Sequence, residues 1–181
     1  LKKEKGIKVK LTGNINVEIE ELNKIKNILN DYPYKIRFDA NQAYNYDNLK
    51  KIILHLINNN LQDKIQYIEQ PLPVGMEEEI GKIRAEFKQI EIMLDESIIS
   101  ISDLKLALNN KINFIKLKLF KQGGIKETID IAKEAKKKKI NIILGNGVAT
   151  HISNFIENQI YIAHPNLFIS PLESNGFKKI K

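Results

Sequence analysis

A chain of 181 residues with 43% hydrophobic content is long enough for one sizeable core, and its 29 basic and 22 acidic side chains leave a formal net charge of +7. No apolar run reaches the roughly 18 residues that a membrane span needs, because Lys, Asn or Glu soon interrupts each Ile/Leu stretch. The absence of cysteine excludes disulfides and thiolate ligands, leaves carboxylates and three histidines for any metal, and suits a reducing, cytoplasmic compartment. The surplus charge does not mark a nucleic-acid partner. No aromatic-interleaved basic motif accompanies it, and Lys133 and Lys136 to Lys139 end a predicted helix whose C-terminal dipole favours them.

In chain order, short β-branched apolar runs alternate with longer stretches of helical spacing. Strands are predicted at residues 7–11, 35–39, 66–69, 91–95, 113–119, 141–144 and 167–170, and helices at 17–29, 46–58, 76–87, 102–108, 125–138 and 153–160. Asn16 is placed to cap the first helix and Ser102 the fourth, while Gly123-Gly124 supplies a tight turn before the fifth. Such alternation demands a parallel sheet, either doubly wound or closed as a (β/α) TIM-type barrel, in an α/β fold whose single domain spans residues 1–181. A closed barrel has eight strands in about 250 residues, so one strand is expected to be missing, at the N-terminal end.

Acids end three successive predicted strands: KIRFD at Asp39, QYIE at Glu69 and EIMLD at Asp95. Parallel neighbours would bring all three to one edge of the sheet, where like charges repel unless a cation compensates them. Oxygen donors alone favour Mg²⁺ or Mn²⁺ over Zn²⁺. A single strand-end acid reads as a loop cap; three in succession read as a metal site. Lysines flank them in pairs two residues apart, Lys8 with Lys10 and Lys116 with Lys118, so each pair points to one face of its strand.

These residues resemble the enolase superfamily, and within it the muconate lactonizing enzyme branch of the mandelate racemase/muconate lactonizing enzyme family. The likeness rests on Lys8-Val9-Lys10, Asp39-Ala40-Asn41, Glu69-Gln70-Pro71, Asp95-Glu96-Ser97, and Lys118 ahead of Gly123-Gly124. It implies a C-terminal barrel domain lacking its first strand and an N-terminal α+β capping domain. It further implies a divalent metal, Mg²⁺ or Mn²⁺, on Asp39, Glu69 and Asp95, and a small-molecule carboxylate substrate whose α-proton is exchanged by Lys10 and Lys118 through a metal-stabilised enediolate. Lys8, Lys116, Asn146 and Glu173 are then expected to face the substrate. Two lysines on opposite faces favour a racemase or epimerase ahead of a cycloisomerase. An o-succinylbenzoate synthase-like dehydratase on the same fold and a non-catalytic barrel remnant are the alternatives, and a homo-oligomer is left open.

The chain departs from its branch at two places. The seventh strand runs into Gly145-Asn146-Gly147-Val148 without the histidine that mandelate racemases use as a base, and His55, His151 and His164 read as structural or surface residues. The eighth strand carries Leu172-Glu173-Ser174 where dipeptide epimerases of the family place an Asp-x-Asp that holds an ammonium group.

Overall fold

The computed structural model describes residues 7–31, 33–145, 150–169 and 172–173, the side chains of Leu29 and Asn30 excepted. Among these residues six strands alternate with six α-helices in the order β1 (Ile7–Lys10), α1 (Ile15–Asp31), β2 (Ile36–Asp39), α2 (Tyr46–Asn58), β3 (Ile65–Glu69), α3 (Glu77–Glu86), β4 (Ile92–Leu94), α4 (Leu104–Asn109), β5 (Phe114–Leu117), α5 (Ile125–Lys137), β6 (Asn141–Leu144) and α6 (His151–Ala163). The chain divides into two compact units, Leu1–Met93 with Asn109–Ile112, and Leu94–Leu108 with Asn113–Lys181.

In the first unit β1 pairs with β2, β2 with β3 and β3 with β4, all parallel. The register sets Lys8 beside Arg37 and Arg37 beside Tyr67; at the C-terminal ends it sets Lys10 beside Asp39 and Asp39 beside Glu69. Alternation therefore puts the charged side chains on one face, while Val9, Phe38 and Ile68 line the other. Helix α2 forms because its apolar residues recur at helical spacing: Leu49, Ile52, Ile53 and Leu56 are all buried, and the Asn45 side chain caps it by accepting from the Asn48 N–H at 2.9 Å.

The turn from β1 into α1 is fastened from inside. Glu18, 3% exposed, accepts from the Thr12 and Gly13 N–H groups, from the Thr12 hydroxyl at 3.1 Å and from the Tyr44 hydroxyl at 2.5 Å. Burial first, then this bond to Glu18, push the Tyr44 hydroxyl far above its ordinary pKa, so it remains a donor. Gly13 has φ +83°, and a Cβ there would stand 2.4 Å from the Ala43 carbonyl oxygen. Tyr44→Phe should lower unfolding stability by about 1.5–3 kcal/mol, the range for a buried hydrogen bond to a charged group. Urea titration checks it, and a change under 0.5 kcal/mol would mean that the bond does not fix this turn.

In the second unit β5 pairs in parallel with β6, Lys116 lying beside Ile143 and Leu117 beside Leu144. Helix α5 repeats the logic of α2 with Thr128, Ile131, Ala132 and Ala135 buried. Helix α6 departs from it: Asn154 and Glu157 are buried along with Ile160, while Ile152, Phe155 and Ile162 are exposed.

Several boundaries differ from expectation. Asn14, not Asn16, caps α1, its side chain accepting from the Val17 N–H at 3.4 Å. Before α4 a short 3₁₀ turn (Ile101–Asp103) intervenes, and Asp103 gathers it by accepting from the Ile99 and Ser100 N–H groups, so Ser102 is not the cap. Leu167, Phe168 and Ile169 form no strand; the Ile169 N–H reaches the Ile142 carbonyl at 2.8 Å, and a single parallel bridge joins Gly145 to Glu173. Ser170 lies outside the described residues. None of the helices among the described residues is long and apolar enough to cross a membrane.

Candidate active site

Asp39 and Glu69 are the last residues of neighbouring strands held in register, so their carboxylates emerge side by side at 2% and 1% exposure. Lys8, two register positions lower on the adjacent strand, extends its ammonium to both, 2.7 Å from Asp39 Oδ2 and 2.7 Å from Glu69 Oε2. Lys10 reaches Asp39 Oδ2 at 2.5 Å and donates to Asn41 Oδ1 at 2.6 Å. Burial alone would raise the Asp39 pKa; the ammoniums of Lys8 and Lys10 outweigh it and hold the carboxyl below the usual range.

Backbone strain accompanies these acids. The chain enters the left-handed region at Asn41 (φ 43°) and Gln42 (φ 66°) just after Asp39, and at Gln70 (φ 34°) just after Glu69. The turn brings Asn41 back over its own strand end, its N–H 3.2 Å from Asp39 Oδ1. The Gln42 N–H donates to the Gln70 carbonyl at 2.7 Å and the Gln70 N–H to the Met93 carbonyl at 2.8 Å, so the two strained turns are tied together.

The second unit holds its own set of charges. Asp95, fully buried, takes the Lys118 ammonium on Oδ2 at 2.5 Å and the Lys121 ammonium on Oδ1 at 2.6 Å. Lys121 also donates to the Lys116 carbonyl at 3.0 Å. Burial pushes the Lys121 ammonium below the ordinary lysine pKa, and Asp95 offsets only part of that. Gln122 fixes the turn: its side chain accepts from the Lys118 N–H at 2.5 Å and donates to the Ile98 carbonyl at 2.8 Å. Lys116, 1% exposed, is ion-paired with Glu173.

Within the first unit the structure thus brings Lys8, Lys10, Asp39 and Glu69 together, and within the second Asp95 with Lys118, and Lys116 with Glu173. Asn146 lies outside the described residues. Sequence reasoning did not single out Lys121, Asn41 or Gln122 as site residues. For Lys121 a signal existed: a four-residue turn, closed by the Lys121 N–H on the Lys118 carbonyl at 2.9 Å, sets it beside Lys118 just before the glycine pair.

As to a metal, Asp39 and Glu69 offer only carboxylate oxygens, both buried, and already converge on a cation in the Lys8 ammonium. That donor chemistry fits a hard divalent ion. Among the described residues no group of three or more His, Asp or Glu side chains is gathered as a metal site.

The strands thus deliver acids and ammoniums at their C-terminal ends, the edge at which β/α barrel enzymes carry their catalytic residues. Residues 2–177 match the family model described as "Enolase C-terminal domain-like". The chain belongs to the enolase superfamily, in the mandelate racemase/muconate lactonizing enzyme family, as its C-terminal domain. It is 34% identical over 143 residues to the L-Ala-D/L-Glu epimerase of Francisella tularensis subsp. novicida, covering 77% of this chain and 38% of that protein. A dipeptide epimerase from Methylococcus capsulatus, solved with Mg and the dipeptide L-Arg-D-Lys, is similar with a TM-score of 0.79 and 26% identity over 95% of this chain and 47% of its own. An N-succinyl Arg/Lys racemase from Bacillus cereus shares the fold, with a TM-score of 0.85 at 21% identity, covering 98% of this chain and 47% of the other. The chain therefore spans less than half the length of these relatives.

Proposed function

We propose that the protein carrying these residues is a divalent-metal-dependent racemase or epimerase that removes and returns the proton α to the carboxylate of a small-molecule substrate. The observation that carries this reading is the in-register pair Asp39 and Glu69 with the Lys8 and Lys10 ammoniums against it. Its membership of the family and the epimerases among its relatives support it.

In this reading Asp39, Glu69 and Asp95, the set that the family resemblance implies, would hold Mg²⁺ or Mn²⁺. When bound, that ion would supply positive charge beside the substrate's carboxylate and so favour loss of the α-proton. Lys10 and Lys118 then move the proton, one on each face. Lys8 yields its place between Asp39 and Glu69 and is left to meet the substrate's negative charge; Asn41, which orients Lys10, keeps that ammonium aimed. Lys116, Asn146 and Glu173 lie toward the rest of the substrate.

A two-lysine racemase exchanges the α-proton from either enantiomer. In heavy water with Mg²⁺, deuterium should enter the α-position of both L- and D-configured substrate, followed by proton NMR. Release of an alkene would replace this reading by a dehydratase, and exchange of a single enantiomer would remove the two-base mechanism.

A further inference from the structure

Two register rows cross β1, β2 and β3 on their charged face. The upper row is Lys10, Asp39 and Glu69, and the lower is Lys8, Arg37 and Tyr67. Arg37 therefore stands between Lys8 and Tyr67, and it is buried to 3% exposure. Its guanidinium is turned toward β3: Cζ lies 5.5 Å from the centre of the Tyr67 ring, and Nε donates to Gln66 Oε1 at 2.7 Å. A bulge supplies that second partner. Ile36 pairs with Ile65 and Arg37 with Tyr67, so Gln66 is an extra residue on β3, and it is the residue whose side chain grips the guanidinium. Bulges of this kind re-aim a side chain beside a functional site.

Lys8 leaves its own row. Its ammonium climbs to the upper one, 2.7 Å from Asp39 Oδ2 and 2.7 Å from Glu69 Oε2. Like charges on directly paired strand residues repel, and a guanidinium is charged at every working pH. The space beside Arg37 is thus unfavourable to a second cation, while the acids above attract it.

We propose that Arg37 is a positioning residue that acts through Lys8: held by Gln66 and Tyr67, its fixed charge drives the Lys8 ammonium up between Asp39 and Glu69. That placement stands without any metal. Its consequence rests on the metal-dependent reading above: by pressing Lys8 onto the two acids, Arg37 makes a divalent ion compete harder for them, and it keeps the ammonium at the level where a substrate's carboxylate arrives.

Arg37→Gln keeps a polar group beside Gln66, and Arg37→Met lays an apolar chain over the Tyr67 ring; both remove the charge. In the full chain without divalent ions, ¹⁵N NMR of the lysine ammoniums reads how firmly Lys8 is held. Its exchange with water should quicken by about threefold or more in either variant, as the ammonium divides its time between two rows. Calorimetry with Mg²⁺ alone should show binding tightened by about threefold or more, the scale of coupling between adjoining charged residues. A residue that merely supported the sheet would weaken Mg²⁺ binding or leave it unchanged. In a Lys8→Met background the same Arg37 substitutions should shift Mg²⁺ affinity by less than about twofold, since the residue they act through is gone.

A Lys8 ammonium held as firmly in both variants as in wild type would overturn the inference. So would an equal Mg²⁺ shift with and without Lys8, which would make Arg37 a direct source of field, and so would failure of both variants to fold, which would make it a structural part of the sheet. Looser Lys8 in the variants together with a wild type that binds no Mg²⁺ would support the placement and overturn the metal-dependent reading alone.

Discussion

Lys118→Ala should reduce α-proton exchange by about 10²–10⁴-fold, the contribution of a positioned general acid or base, while leaving the fold intact. The fold is spared because Asp95 keeps the Lys121 ammonium at 2.6 Å after Lys118 is gone. Lys118→Arg separates charge from proton transfer. A guanidinium preserves a cation against Asp95 but stays protonated throughout the working pH range, so this variant should also be slow. Exchange rates at saturating substrate, read beside divalent-ion affinity by calorimetry, check both. Activity within tenfold of wild type in either variant would remove Lys118 from the proposed proton path.

Asp95→Asn should have the opposite profile, a large loss of stability together with loss of divalent-ion binding. The carboxylate is fully buried between two ammoniums, those of Lys118 and Lys121. An amide of the same shape cannot neutralise them. Breaking a buried ion pair by removing one partner costs about 3–5 kcal/mol. The urea midpoint reads that loss directly, and a variant as stable as wild type would mean that these pairs contribute little to the fold. Comparing the two lysines then tells them apart: Lys121→Met should weaken the fold more than Lys118→Ala, since the Lys121 ammonium also ties Asp95 to the Lys116 backbone.

Most of the fold was legible because each local pattern agreed with its neighbours. The α2 stripe Leu49, Ile52, Ile53 and Leu56 is helical at sight, and the observed bounds Tyr46–Asn58 coincide with the expected ones. The acids at Asp39 and Glu69 were legible for a different reason: a carboxylate ending an apolar strand is an interruption that packing does not require. What escaped notice was carried by turn geometry. Asn14 outcompetes Asn16 as the cap of α1, and Asp103 closes its turn from three residues downstream, choices set by backbone angles that periodicity does not encode.

The last predicted strand failed because residues 167–169 have the apolar run but make a single bond to Ile142. A strand needs a ladder, and composition cannot supply one. Lys121 was missed because a lysine beside Gly-Gly looks like a loop residue facing water. Its burial follows from the tight turn after Lys118 and from Asp95, which lies 26 positions upstream. The Lys116–Glu173 pair spans 57 positions and passes over Gly145, so nothing local in the sequence announces it.

The ammonium of Lys8 between Asp39 and Glu69 bears on how such a protein fares in a cell. Domains whose ligands repel one another until an ion arrives are unfolded without it, and chelation destroys them. Here the counter-ion is covalently attached, so the two acids are compensated from the moment β1, β2 and β3 align. Under the metal-dependent reading proposed above, shortage of a dissolved cation would therefore silence the molecule without unfolding these strands, leaving an intact reserve that resupply can switch on without new synthesis.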